Sequence, residues 1–283
     1  MGEFSRYLMI SGLTVACYLS AASLVKSGGK AQAADPALPL IVWQQAPSPP
    51  AVIVDGPSAG DGYLQRTTDW LISHLPGYRH EKRMVPIPRA LDVMAKGEFM
   101  CSNFLYESDY RRNFLIFSDP LLELQALTMF IAPEKLNELR YAMRDGMVDL
   151  GLLAHQNKLS IGMPVGYRFD EALVPGVNDF LQSKMTQSAG TTEMTIRLFD
   201  VSRIDGFISY QVNVNYYREA GELGRETIPV PIMGVPVRPL PVSCSGDKKQ
   251  AQQIIDAVNS LLSDQQNRQE LEAFYDRWAA ATP

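Results

Sequence analysis

Two adjacent arginines, Arg111 and Arg112, lie in the segment 107–120 (ESDYRRNFLIFSDP), between a short polar turn and an apolar run. A guanidinium is a planar, permanently charged donor that can bind a carboxylate through two parallel hydrogen bonds. Such a pair gains strength in a partly buried pocket and contributes little at the surface. Two interpretations are therefore open: both arginines are solvated, or one of them faces a cavity and binds an anion.

The sequence lacks the common motifs of catalysis and cofactor binding. The three histidines, His74, His80 and His155, have no ligand spacing with one another or with cysteine. There is no Gly-x-Ser-x-Gly elbow, no phosphate-binding loop and no dinucleotide fingerprint. We therefore expect a protein without metal or organic cofactor and without enzymatic activity. An enzyme remains an alternative, since an acidic side chain in a cleft could act as a base.

The length and the net charge of the chain limit the classes of protein to which it could belong. The chain has 283 residues, which is enough for two small hydrophobic cores. Its formal net charge is −5, and no basic patch stands out. This charge pattern argues against nucleic acid as a partner.

The N-terminal segment has the pattern of a targeting sequence. Arg6 precedes an apolar run at 7–25, which a polar bridge separates from Ala31-Gln32-Ala33. A basic start, an apolar core and an Ala-x-Ala exit are typical of a secretory signal that is cleaved after Ala33. The alternative is an uncleaved membrane anchor, because the run approaches the length that spans a bilayer.

Export would leave two cysteines, Cys101 and Cys244, because Cys17 lies inside the predicted signal. An even number of cysteines in an oxidising compartment favours a disulfide. Two buried free thiols are the alternative. A disulfide would bring the segments around residues 101 and 244 together, and any division into domains has to allow this.

Strand and helix patterns alternate through the first part of the chain. Apolar runs typical of strands are interleaved with apolar positions at helical spacing, and proline or glycine separates them. The predicted elements are a strand at 40–43, a helix at 64–75, a strand at 78–85, a helix at 89–96 and a strand at 99–106. This order implies parallel strands joined by crossover helices.

A second, weaker alternation follows, and the chain ends in two amphipathic helices. The predicted elements are an extended apolar segment at 121–132, helices at 136–145, 170–181 and 193–199, strands at 159–163, 184–186 and 206–210, and a strand or helix end at 148–153. The segment 227–243 is proline-rich and extended. Apolar stripes at helical spacing within 254–262 and 271–278 indicate the two C-terminal helices.

These patterns predict an α/β protein of two lobes, each a mostly parallel sheet flanked by helices. The predicted division is a signal peptide at 1–33, a discontinuous first lobe at 34–127 and 228–283, and a second lobe at 128–227. Two extended hinge segments would join the lobes. Proteins with this organisation bind small molecules at the domain interface and close by hinge motion.

Four segments carry a resemblance to a known family. They are Ser108-Asp109-Tyr110-Arg111 with Phe117-Ser118-Asp119-Pro120, Pro49-Pro50 with the glycine-rich turn to Gly62, the segment 89–97, and Ser202-Arg203-Ile204-Asp205-Gly206. In these the chain resembles exported solute-binding proteins of the amino-acid-binding family 3, which have the type II periplasmic binding fold. The resemblance implies that Arg111 binds the carboxylate of a ligand, that Ser108 adds a hydrogen bond, and that Arg112 is solvated.

One position departs from the pattern of this family. Members that bind amino acids hold the ligand's ammonium group with a carboxylate after the last strand of the second lobe. Here that place falls near Tyr210, and tyrosine supplies no negative charge. This departure argues against a standard amino acid as the ligand and leaves an anionic, aromatic or amide-bearing ligand possible.

Further candidates for ligand contact follow from their positions. Trp43 ends the first predicted strand and Tyr106 the third, at the edge where open α/β sheets bind ligands. Core packing is the alternative for both. Arg89 opens a helix and faces either the cleft or solvent. The backbone at Gly166-Tyr167-Arg168 precedes a predicted helix, so its N–H groups could bind an anion.

The sequence and the resemblance together predict a monomeric periplasmic binding protein. It would capture a small, carboxylate-bearing ligand and deliver it to an inner-membrane transporter permease. The alternative is a periplasmic sensor that acts on a membrane signalling protein. No local motif marks the surface that meets the partner, so the sequence leaves both roles open.

Overall fold

The computed structural model describes residues 38–155, 158–165, 169 and 171–280. The predicted signal peptide at 1–33 lies outside these ranges, and so do Gly166, Tyr167 and Arg168. Within the described ranges, no helix combines the length and the hydropathy needed to cross a bilayer.

Strands and helices alternate along most of the described chain. The strands are β1 (Leu40–Gln45), β2 (Arg79–Met84), β3 (Cys101–Ser102), β4 (Ile116–Leu124), β5 (Thr128–Ile131), β6 (Met143–Arg144), β7 (Met147–Val148), β8 (Ile161–Pro164), β9 (Thr186–Ala189), β10 (Gly206–Ser209), β11 (Ile228–Pro231) and β12 (Arg238–Cys244). The helices are α1 (Tyr63–His74), α2 (Ile87–Ala95), α3 (Asp109–Arg112), α4 (Leu136–Leu139), α5 (Leu150–Ala154), α6 (Val177–Gln182), α7 (Thr192–Asp200), α8 (Gln211–Glu219), α9 (Lys248–Leu262) and α10 (Gln265–Ala279).

The first sheet has five strands in the order β2-β1-β3-β12-β4. β1 runs parallel to β2 and β3, whereas β12 is antiparallel to β3 and β4. Both faces of the sheet are covered, which fits the apolar sequence of β1. Ile41 and Trp43 pack in the core that includes α1, α9 and α10, and Val42 packs on α2. We call this sheet with α1–α3, α9 and α10 the first lobe.

The second sheet also has five strands, in the order β11-β5-β10-β8-β9. β8 is parallel to both of its neighbours, β10 and β9, while β5 is antiparallel to β10 and β11. Phe130 and Phe207 stack across the paired strands β5 and β10, with ring centroids 5.3 Å apart. We call this sheet with α4–α8 the second lobe.

The chain passes between the two sheets at 125–127 and again at 232–237. β11 pairs with β5, so the second sheet extends to Pro231. The division based on the sequence places these four residues, Ile228–Pro231, in the first lobe. Their proline-rich pattern resembles a linker, but prolines are tolerated in β11 because it lies at the edge of the sheet.

The predicted disulfide between Cys101 and Cys244 is present. The two residues are directly opposed in the antiparallel register of β3 and β12, with Cα atoms 4.1 Å apart, and both are fully buried. The bond spans 143 positions of sequence, and all of the second lobe lies within that span. It therefore joins a strand before the second lobe, β3, to β12, the strand that follows the second lobe.

The predicted secondary structure differs from the structure in three parts besides the helix predicted at 170–181, which begins only at Val177, as α6, because residues 171–176 form turns. The strand predicted at 99–106 shortens to β3, because Ser102 Oγ accepts a hydrogen bond from Phe104 N–H and the chain bends there. The helix predicted at 136–145 divides into α4, a 3-10 turn and β6, since a left-handed turn at Asp145 and Gly146 starts a hairpin.

The third difference is α8, which the sequence analysis does not predict. Val212 and Val214 alternate with Asn213 and Asn215 there, and an alternating pattern with β-branched residues favours a strand. The helix forms because these asparagines are buried and satisfied: Asn213 Nδ2 donates to Ser209 Oγ at 3.0 Å, and Asn215 donates to the end of α10. Tertiary contacts override the local pattern.

Candidate functional site

Arg111 and Ser108 lie at α3, directly after the chain leaves β3. Ser108 is the N-cap of this short helix, and its Oγ accepts a hydrogen bond from the Arg111 backbone N–H at 3.4 Å. The Arg111 side chain is half-buried, and its Nη1 donates to the Tyr106 carbonyl oxygen at 2.6 Å. Burial lowers the pKa of this guanidinium, and the nearby Tyr106 raises it. Desolvation is the larger influence, so the charge lies partly out of water.

The neighbouring Arg112 has different surroundings. Its Nη2 lies 3.2 Å from Glu107 Oε1, and both side chains are well exposed. Such surface pairs contribute little to stability. Arg111, in contrast, has no carboxylate within ion-pair distance among the described residues. Of the two adjacent arginines, Arg112 is therefore a surface cation and Arg111 is a half-buried cation.

Two tyrosines join the lobes beside Arg111. The hydroxyl oxygens of Tyr106, after β3, and Tyr210, after β10, are 3.2 Å apart. Tyr106 packs against the core of the first lobe, and Tyr210 packs against the cores of both lobes. Both rings are half-buried. The carboxyl ends of β3 and β10 therefore meet through a side-chain hydrogen bond.

A second guanidinium approaches the same tyrosine. Arg238 is the first residue of β12, and its guanidinium carbon lies 5.2 Å from the centroid of the Tyr106 ring. We call Tyr106, Arg111, Tyr210 and Arg238 the arginine–tyrosine cluster. Sequence analysis missed Arg238. The available signal was a lone cation in the proline-rich stretch 235–239, at the return from the second lobe to the first.

Three carboxylates lie near the Tyr216 hydroxyl on α8, away from the arginine–tyrosine cluster. Burial raises the pKa of Tyr216, and Glu222, Asp55 and Glu193 raise it further through their charges. Asp55 lies in the loop before α1, whereas the two glutamates belong to the second lobe. Arg197 bridges both glutamates, at 2.8 and 3.3 Å. Asp55 therefore brings the first lobe close to the acidic side of α8.

Two predicted contact residues lie outside the arginine–tyrosine cluster. Trp43 is 1% exposed; its Nε1 donates to His80 Nδ1 at 3.1 Å, and the two rings stack. This position matches the core alternative for Trp43. Arg89 is exposed at the start of α2, which matches its solvated alternative. No group of three or more histidine, cysteine or acidic residues in the described chain is arranged to hold a metal ion.

Comparison with known proteins identifies the fold of the chain. No protein-family model matches the chain, and no curated protein matches it. Solved structures do match: the ancestral amino acid-binding protein AncCDT-1, a precursor of cyclohexadienyl dehydratase, has a TM-score of 0.59 and 14% identity over 85% of this chain and 95% of its own. The chain has the type II periplasmic-binding-protein fold.

Two further solved structures have the same fold. The probable amino-acid ABC transporter extracellular-binding protein ytmK of Bacillus subtilis matches with a TM-score of 0.60 and 12% identity, over 86% of this chain and 100% of its own. The periplasmic domain of BvgS from B. pertussis matches with a TM-score of 0.59 and 14% identity, over 87% of this chain and 44% of its own. At identities this low, the structural similarity establishes the fold alone. It is the fold that the sequence predicted.

Proposed function

We propose that this chain is an exported, periplasmic solute-binding protein that holds a small, carboxylate-bearing ligand between its lobes. The first lobe would comprise 34–127 and 232–283, and the second 128–231, after removal of a signal peptide at 1–33. A membrane transporter would receive the ligand. The solute-binding role agrees with the names of the structural neighbours, which include an amino-acid-binding protein and a transporter's extracellular-binding protein.

The half-buried Arg111 guanidinium carries this proposal. A buried cation is costly unless it is paired, and among the described residues the Arg111 guanidinium has only the Tyr106 carbonyl oxygen as a hydrogen-bond acceptor. A ligand carboxylate would supply the missing charge through the remaining N–H groups. Tyr106 and Tyr210 would contribute hydroxyls from opposite lobes, so a ligand that met both would favour the closed arrangement. Ser108 caps α3 as an acceptor, and its hydroxyl O–H would remain to donate to a ligand carboxylate.

Thermal unfolding with a library of small carboxylates tests the proposal. A ligand at about one hundred times its Kd should add about 2.7 kcal/mol to stability, because it binds only the folded state. Arg111→Gln should remove this increase in Tm while the unliganded protein stays folded. Arg112→Gln is the matched control, since it removes an adjacent but exposed arginine, and it should keep the full increase. An Arg111→Gln protein that retains the wild-type response would refute the assignment.

A periplasmic sensor is the second candidate, and the similarity to the BvgS periplasmic domain favours it. The same cluster would then bind a ligand whose presence is reported to a membrane signalling protein. Photo-crosslinking from the exposed surface of the protein in intact cells separates the two roles. Capture of a transporter permease supports delivery of a solute, whereas capture of a signalling protein supports the sensor.

A further inference from the structure

The helix α8 belongs to the second lobe, but one of its sides packs on the first lobe. Val214 and Tyr217 lie in a core cluster of second-lobe residues. Val212, in contrast, lies in the core of the first lobe. Positions 212, 215 and 216 fall on one side of the helix, and positions 214 and 217 fall on the opposite side. α8 is therefore buried on two sides, each against a different lobe.

The side of α8 that faces the first lobe contacts the end of α10. Asn215 Nδ2 donates to the carbonyl oxygens of Trp278 and Ala280 at 2.8 and 2.9 Å. The Tyr216 ring packs edge-on against the Trp278 ring, with centroids 5.5 Å apart. The last carbonyls of a helix have no partner within it, so a helix of one lobe completes the hydrogen bonds of a helix of the other. We call Val212, Asn215, Tyr216 and residues 278–280 the α8–α10 seam.

The end of α10 also holds the first passage between the lobes. Tyr275 lies one turn before Trp278, and its hydroxyl accepts a hydrogen bond from Gln125 N–H at 3.0 Å. Leu127, two residues further along the passage, is already buried in the second-lobe core. The last turns of α10, a first-lobe helix, therefore contact both the passage and α8.

The seam limits how the lobes can move. Two chain passages alone would leave the lobes free to rotate about the line that joins them. The seam adds a third, non-covalent connection, in which Asn215 meets its acceptors in one orientation only. Both Asn215 and Trp278 are buried, at 6% and 2% exposed. A rotation that parted α8 from α10 would break these hydrogen bonds and expose apolar surface of Val212 and Trp278 to water.

We propose that the α8–α10 seam holds the two lobes together in the unliganded chain. The main state of that chain is then the closed one, in which the Tyr106 and Tyr210 hydroxyls meet. A ligand would enter through a minor open state, whose population the seam sets. The inference concerns the unliganded chain and goes beyond the proposed function, because it does not depend on the ligand of the arginine–tyrosine cluster.

Spin labels on the two lobes measure their separation. Met84, the last residue of β2, and Met194, in the first turn of α7, are 51% and 53% exposed. Met84→Cys and Met194→Cys provide the attachment sites, while Cys101 and Cys244 stay in their buried disulfide. Double electron–electron resonance on the exhaustively dialysed protein, expressed from its full-length gene, should give one predominant distance.

Asn215→Asp breaks the seam with almost no change of shape. The carboxylate replaces a donor by an acceptor and lies at the carbonyl end of α10, where negative charge is unfavourable. This variant should raise the proportion of longer distances at least tenfold. Asn259→Asp is the matched control: Asn259 Oδ1 accepts from Asp119 N–H at 2.8 Å within the first lobe, and aspartate keeps that contact. Its distances should equal those of the wild type.

Tyr216→Ala gives a second break if Asn215→Asp folds poorly. It removes the ring that packs on Trp278 and leaves the Asn215 hydrogen bonds in place, so it should shift the distances in the same direction. The inference is overturned if a seam variant that is folded by circular dichroism keeps the wild-type distances, or if the wild type itself is mostly open. Neither result bears on the proposed carboxylate ligand, which the Tm response of Arg111→Gln tests separately.

Discussion

The two lobes share an α/β order but differ in how their elements are held. The first lobe packs its sheet against α9 and α10, each of fifteen residues, and a disulfide joins two of its inner strands. In the second lobe α5 and α6 have five and six residues. Helices of that length are unstable alone, since even good helix formers need roughly 12–15 residues. They persist only because neighbouring elements pack closely on them.

That close packing is visible where α5 meets the turn before α6. Gly176 has a φ of 71°, in the left-handed region that glycine adopts without strain, and a Cβ added to it would overlap the Cα of Gly151. The second lobe therefore depends on backbone contact, whereas the first depends on long helices and a covalent link. Each of these means of stabilisation can be removed separately.

Removing the disulfide should have the largest effect. Replacing Cys101 and Cys244 together by alanine should lower the free energy of unfolding by about 5 kcal/mol, because the unfolded chain regains the freedom of a very long loop. Urea denaturation measures the loss. Hydrogen exchange should show that β3 and β12 lose protection while β8 and β10 keep most of theirs. Equal loss of protection in both sheets would show that the lobes unfold as one unit.

Alanine at Gly176 should have the next largest effect, and it should act on the second lobe. Gly146 is the matched control, because its φ of 79° is also left-handed but no heavy atom lies within 4 Å of an added Cβ. Gly146→Ala should cost about 1–2 kcal/mol from backbone strain alone. Gly176→Ala should cost more, since α5 and the turn must also move apart. Equal costs, measured by urea denaturation, would mean that the contact with Gly151 is unimportant.

The same contrast explains how much of the fold could be predicted. The first lobe alternates strands and helices that are bounded locally by proline and glycine, as at Pro86 before α2 and Gly97 after it, so most of its elements follow from the sequence. The exception is β3, which is much shorter than the predicted strand. In the second lobe the elements are short, and the predicted helix at 136–145 fails because it spans a turn. Local patterns lose reliability when elements are shorter than the window used to recognise them.

The site was predictable only in part for a related reason. The residues around Arg111 and Arg112 left open which arginine is solvated, and their different surroundings were predicted only through the family resemblance of the segment that contains them. Contacts between Tyr106 and Tyr210, or between Tyr106 and Arg238, join residues more than one hundred positions apart. They depend on how both lobes and the hinge come together, which one sequence does not specify.

Asn215 offers a way to test the contact between the lobes directly. On α8, its Nδ2 donates to the carbonyl oxygens of Trp278 and Ala280 at 2.8 and 2.9 Å, at the end of α10. Asn215→Ala would leave these partly buried acceptors without a donor and should cost about 1–3 kcal/mol. Gln252→Ala is the control, because it removes an exposed side-chain hydrogen bond within α9. A loss no greater than the control's would show that this contact does not couple the lobes.

The smallest effect is expected at Tyr275, where α10 meets the first passage between the lobes. Its hydroxyl accepts a hydrogen bond from Gln125 N–H at 3.0 Å, and burial raises the pKa of the phenol despite that bond. The folded state thus favours the neutral form, so its contribution to stability is complete below about pH 10, the pKa in the unfolded chain, and is lost as the pH rises through the folded pKa.

Tyr275→Phe should therefore lower stability slightly at neutral pH, because Gln125 N–H loses its acceptor, and should make the loss of stability at alkaline pH shallower. Urea denaturation between pH 7 and about pH 11 measures both changes, with the exposed Tyr110→Phe as the matched control. Part of the alkaline loss should remain, since burial also raises the pKa values of Tyr141 and Tyr216. An unchanged alkaline slope would mean that the pKa of Tyr275 is the same in the folded and the unfolded chain, so that burial of this phenol contributes nothing to the alkaline loss of stability.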